Sequence, residues 1–126
     1  MNRDAFLGLV EEVVEEVFLH LDSELGERPE NVEICVEDWP TEEVLREVGV
    51  PAGGTLFGLY QGIPRTERSF FHDATLPDRI IIYQGPVEEG ATTPGEIRKQ
   101  VRHTIVHEIA HHFGISDERL MDLDAY

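Results

Sequence analysis

From Thr93 to Phe113 the sequence reads as one long helix whose buried face is fixed by its own spacing. Thr93-Pro94-Gly95-Glu96 supplies a hydroxyl N-cap, a proline at the first helical position and a glutamate three residues after the cap, which together start a helix strongly. Ile97, Val101, Ile105, Ile109 and Phe113 then follow at four-residue steps, and Val106 and Ala110 widen the apolar arc they make. Such a helix is expected to be largely buried. What the arc leaves over is a line of histidines: His103, His107 and His111.

Two of those histidines belong to a His-Glu-x-x-His pattern, His107-Glu108-Ile109-Ala110-His111. A four-residue offset puts His107 and His111 one turn apart on one face, where both imidazoles reach the same metal ion. Glu108 lies about 100° further round the helix, beside the metal position and off the ligand line. A carboxylate there suits a general base that takes a proton from a water at the metal. A hydrolytic zinc needs three protein ligands and one open position. The third ligand is expected to be Asp117: Gly114 can end the helix in a left-handed conformation, and the turn then swings an acid three residues later towards the ion.

The resulting pattern, His-Glu-x-x-His-x-x-Gly-x-x-Asp over His107, Glu108, His111, Gly114 and Asp117, resembles that of the zincin metallopeptidases in which aspartate is the third zinc ligand. The run His-His-Phe-Gly-Ile-Ser-Asp-Glu also resembles that of the small bacterial family of minimal zincin-like proteins, where it recurs near the C-terminus of a short acidic chain. The resemblance implies peptide-bond hydrolysis with one zinc per chain and a peptide or protein substrate. The second reading is a non-catalytic zinc protein whose metal pins the C-terminal turn to the helix. That reading uses the same ligands and has no need of Glu108. Nine residues follow Asp117, so neither the lower wall of a larger zincin cleft nor a metzincin methionine turn at Met121 is expected. For stabilising the charge that develops on the substrate, Tyr83, Tyr126, His103 and Arg65 are candidates.

The remainder of the sequence predicts an α+β domain over residues 1–126, with a small mixed sheet of three or four strands. Phe6, Val10, Val13, Val14, Val17, Phe18 and Leu21 mark an N-terminal helix from Asp4, as its cap, to about Leu25. Asn31 to Glu37, Thr55 to Tyr60 and Asp78 to Gln84 read as strands. Gly58 signals a bulge or a close approach within the second, and the apolar run of the third indicates that both its faces are covered. Trp39-Pro40-Thr41 leads into a short helix ending at Gly49, with Trp39 expected as a core anchor. Gln61 to Pro77 reads as a long loop and Val87 to Thr92 as a second connection; the resemblance implies that the long loop lines the substrate cleft with Phe70 or Phe71 in a pocket, the alternative being that these two phenylalanines pin the loop to the core. Ser116 caps a last short helix.

Twenty-six acids against ten Lys and Arg give a net charge of −16, which disfavours nucleic acid and anionic membranes as partners. The N-terminal stretch lacks a basic segment and is interrupted by Glu11, Glu12, Glu15 and Glu16, so it is expected to be neither a signal peptide nor a membrane span. Cys35 is the one cysteine; a buried, inert thiol and a cytoplasmic location are the expectations. His20 is read as a solvated or dipole-facing residue and His112 as a packing or capping residue.

Overall fold

A computed structural model of the chain describes residues 1–25, 32–62 and 77–113. In these residues the elements run α1 (Arg3–Leu25), β1 (Val32–Glu37), α2 (Glu42–Val48), β2 (Gly58–Gln61), β3 (Asp78–Tyr83), α3 (Gln84–Gly90) and α4 (Pro94–Phe113). The three strands form one mixed sheet in the order β1-β3-β2, with β1 parallel and β2 antiparallel to the central β3. The α+β class and the three-stranded sheet are as the sequence predicts.

One face of the sheet carries the core. Ile80 and Ile82 of β3 pack with Phe6, Val10, Val13, Val14, Val17 and Phe18 of α1 and with Ile97, Val101, Ile105, Val106, Ile109 and Ala110 of α4. The alternation of β3 sends Ile81 and Tyr83 to the other face, where they too are buried. A central strand covered on both sides is what its unbroken apolar run requires. At the surface of the α1–α4 contact, Arg98 reaches both Glu12 and Glu16. Exposed pairs of this kind contribute little; the apolar arc holds the helices together.

Helix ends follow their caps. The Glu96 amide donates to Thr93 Oγ1 at 3.1 Å while the Thr93 amide donates back to Glu96 Oε1 at 3.1 Å, a reciprocal capping box. The Thr93 and Thr92 hydrogen bonds hold the Glu96 carboxyl below its ordinary pKa. Thr41 caps α2, and Gly49 closes it in the left-handed conformation at φ 90°.

Several expectations are corrected. Asn2, not Asp4, caps α1, since the Ala5 amide donates to Asn2 Oδ1 at 2.8 Å; Asp4 lies in the first turn, where an acid suits the helix dipole. The second strand begins at Gly58, three residues later than Thr55. The stretch after β3 is a helix instead of an irregular connection. Pro86 falls in the first turn of α3, where its missing N–H costs nothing. Gln84 at its start accepts from Arg3 Nε at 2.9 Å and donates to the Met1 carbonyl at 2.8 Å, tying α3 to the start of α1. Trp39 is 51% exposed, resting on Gly85 in place of the core. Cys35 is half-buried, and its sulfur accepts from Arg79 Nη2 at 3.2 Å. The expectations for Phe70, Phe71 and the final helix at Ser116 fall outside the described residues.

Among the described residues no helix is long and apolar enough to cross a membrane. Removing the cap hydroxyl by Thr93→Ala is expected to cost about 1 kcal/mol of stability, measured as a lower urea midpoint with an unchanged slope.

Candidate metal centre

The apolar arc of α4 fixes which of its residues stay accessible. With Val101, Ile105 and Ile109 pinned in the core, His103 and His111 are exposed and His107 is half-buried on the opposite stripe. The rings of His103 and His107 lie 4.1 Å apart, and those of His107 and His111 lie 6.2 Å apart at right angles. Two imidazoles ligating one tetrahedral zinc through Zn–N bonds of about 2.0–2.1 Å have centroids roughly 5–6 Å apart. The pair therefore fits one ion with small ring adjustments, and nitrogen donors of this kind suit zinc. Asp117 and Gly114 fall outside the described residues. Among the described residues no three His, Cys, Asp or Glu side chains converge as a metal cluster.

Glu108 is half-buried on α4, and the Tyr60 N–H of β2 donates to its Oε2 at 3.2 Å. Burial raises the Glu108 pKa above the ordinary glutamate value, partly offset by the Tyr60 hydrogen bond and by the charge of His111. A carboxylate made more basic by desolvation is better matched to general-base work near neutrality.

Tyr60 is the residue of the site that the sequence did not single out. Its hydroxyl donates to Asp78 Oδ2 at 2.9 Å, and its ring stacks on His112 at a centroid distance of 4.0 Å. His112 Nε2 also lies 3.8 Å from the same Asp78 oxygen. His112 is thus a packing residue, as expected, and its partner is the edge strand. No local motif announces Tyr60; its only signal is its place in an apolar-aromatic strand.

Gly58 sets how closely β2 approaches α4. A β-carbon there would lie 2.7 Å from Thr104 Cγ2, 2.9 Å from the Ile81 carbonyl oxygen and 3.0 Å from Ile82 Cδ1. Only glycine fits, and the close approach read from the sequence is present.

Of the four residues considered for charge stabilisation, Arg65 and Tyr126 fall outside the described residues. Tyr83 is set aside: it is buried on the sheet face opposite the core into which Tyr60 and α4 pack, and burial pushes its phenol pKa up. His103 remains, against His107. It also ends an open groove of about 400 Å³ lined by Gly90, Ala91, Glu96, Lys99, Gln100 and Arg102.

Two outcomes test this geometry. Gly58→Ala is expected to destabilise the protein by about 1–3 kcal/mol through overpacking against Thr104 and the Ile81 carbonyl, read by denaturant titration. In metal-free protein, a raised Glu108 pKa means that the folded state holds its proton more tightly than the unfolded state. Stability then falls as pH rises through the window between the unfolded glutamate pKa, about 4.3, and the higher folded value. Metal-free Glu108→Gln is accordingly expected to melt higher than wild type at pH 7, with the gap closing below about pH 4. A wild type that melts no lower than Glu108→Gln at pH 7 contradicts a desolvated carboxylate.

Comparison with curated proteins returns no match. The family model described as zincin-like metallopeptidase matches residues 29–126. The match takes in the sheet, α4 and the whole His-Glu-x-x-His stretch, while α1, which closes the core beneath them, precedes it. By that match the chain belongs to the zincin-like metallopeptidase family.

Proposed function

We propose that this protein is a zinc-dependent peptidase, carrying one zinc per chain, in which His107, His111 and Asp117 hold the ion and Glu108 is the general base. The observation that carries the reading is the placement of Glu108: half-buried, beside the perpendicular His107–His111 pair, with one carboxylate oxygen held by the edge-strand amide of Tyr60. When bound, zinc supplies Lewis acidity, lowering the pKa of water and polarising the scissile carbonyl. Glu108 takes the water's proton and later delivers it to the leaving amine. His103, whose ring lies tilted at 4.1 Å from that of His107, is the candidate among the described residues for meeting charge on the substrate.

The substrate is a peptide or protein. Of the two sheet edges, β2 runs beside α4 and β1 packs near α1, so β2 is the edge at which an extended peptide adds as a strand next to the motif helix, through its outward groups other than the Tyr60 N–H that Glu108 holds. With a net charge of −16, nucleic acid and anionic membranes are not the partners, and a cytoplasmic setting suits a chain with one thiol. A purely structural zinc, the alternative, uses the same ligands. It has no use for a desolvated acid beside them, since burying a carboxylate costs stability.

Elemental analysis of untagged protein is expected to give one zinc per chain for wild type and Glu108→Gln and markedly less for Asp117→Ala. In the same preparations, cleavage of a mixed-sequence peptide pool is expected to fall by about 10²- to 10⁴-fold in Glu108→Gln. Zinc retained in full by Asp117→Ala rules out that ligand. Zinc-loaded wild type that cuts no peptide supports the structural alternative.

A further inference from the structure

The register of the sheet decides which backbone groups of β2 are left over. The Tyr83 N–H donates to the Phe57 carbonyl at 2.9 Å, so these two residues form a hydrogen-bonded pair. In an antiparallel ladder such pairs recur at every second position, which makes Leu59–Ile81 and Gln61–Arg79 hydrogen-bonded pairs as well. Gly58 and Tyr60, opposite Ile82 and Ile80, therefore turn their N–H and C=O away from β3 towards the outer edge. The Tyr60 N–H that the sheet does not use is the one donated to Glu108 Oε2.

Three further contacts fix where that amide sits. The Tyr60 hydroxyl is anchored on Asp78 of β3, its ring lies on His112 of α4, and the absent side chain of Gly58 lets the strand close onto Thr104. The amide is thus held by both the sheet and the motif helix. A backbone N–H is also a donor that cannot ionise and has no rotamer of its own. A glutamate side chain, by contrast, has several torsions whose freedom must be lost before its carboxylate points in one direction.

We propose that Tyr60 is a positioning residue for the hydrolytic reaction: its backbone amide holds one oxygen of Glu108 so that the other is turned towards the water it deprotonates. The inference rests on the reading of Glu108 as the general base. It assigns to the β2 edge a role in orienting the base, so that the precision of a near-attack geometry comes from the sheet register.

Two variants separate the amide from the side chain. Tyr60→Ala and Tyr60→Pro both remove the ring and hydroxyl, and only proline removes the N–H. Proline is tolerated at an outward-facing position of an edge strand because no ladder bond is lost. With the peptide from a random-sequence pool that wild type cuts fastest, kcat of Tyr60→Pro is expected about tenfold or more below that of Tyr60→Ala, with KM and zinc content matched. Equal kcat values overturn the proposal.

Amide hydrogen exchange on the zinc-loaded protein gives a second readout that needs no turnover. The Tyr60 amide is expected to be protected like those of Leu59 and Gln61, and Glu108→Ala is expected to speed its exchange about tenfold or more while leaving the other two unchanged. A Tyr60 amide that exchanges freely in zinc-loaded wild type overturns the proposal, even if Tyr60→Pro does not fold. Failure of the hydrolase reading is distinct: wild type then cuts no peptide, or Glu108→Gln cuts as wild type does, and either result removes Glu108 as the base and this inference with it, while Tyr60 exchange still reports the contact.

Discussion

The burial of one broad face of α4 is the constraint from which the site follows. Ile97, Val101, Ile105 and Ile109 are nearly inaccessible, packed against Phe6, Val10, Val13 and Val17 of α1 and the inner face of β3. Each such side chain contributes about 1.5–3 kcal/mol by leaving water, and rotating the helix by one residue, about 100°, would forfeit most of that contribution. The helix therefore has one permitted orientation about its axis. His103, His107 and His111 occupy the stripe that this orientation leaves, so core packing aims the histidines.

The same packing explains why Glu108 is costly and why the cost is tolerated. Glu108 lies between the histidine stripe and the buried arc, and the sheet closes over it because Gly58 permits β2 to touch Thr104. Water is partly excluded from the carboxylate, which raises its pKa, and a single edge-strand amide compensates in part. Local conflict of this kind, a polar group held where apolar packing would be cheaper, concentrates where a fold trades stability for chemistry. A scaffold optimised only for stability would place an uncharged residue there.

The sequence made α4 and its N-cap legible because every signal in it is local. The capping box, the four-residue apolar steps and the histidine stripe all lie within one helix, and they lead to the observed Pro94–Phe113 boundaries. β3 was legible for the same reason. Tyr60 was not, because what distinguishes it is its partners Asp78, Glu108 and His112, the last two about fifty positions away along the chain. Whether its amide faces the sheet or the edge depends on register with β3, which no alternation within β2 reveals. Trp39 failed in the opposite direction: aromatic size argued for burial, but the chain turns at Asp38, whose carbonyl accepts from the Gly85 amide at 2.8 Å. That turn leaves the indole lying over a glycine at the surface. The short helix after β3 was hidden by Gly85-Pro86, which reads as a break unless the first-turn position of the proline is known.

Charge distribution adds a consequence that neither the fold nor the motif contains. The net charge is −16, yet Arg98, Lys99 and Arg102 lie within five positions on α4, just ahead of the histidines. Arg98 is engaged with Glu12 and Glu16 of α1, and Lys99, Arg102 and His103 line the groove together with Glu96. The far field of the protein is therefore negative, and the local field along the first half of α4 is offset towards positive. Screening confines the local effect to about 8–10 Å at ordinary ionic strength. A charged group approaching through solvent meets the negative field first and the local charges of the groove only at contact. The field at long range and the field at contact thus differ in sign along this part of the surface, and salt weakens the first more than the second.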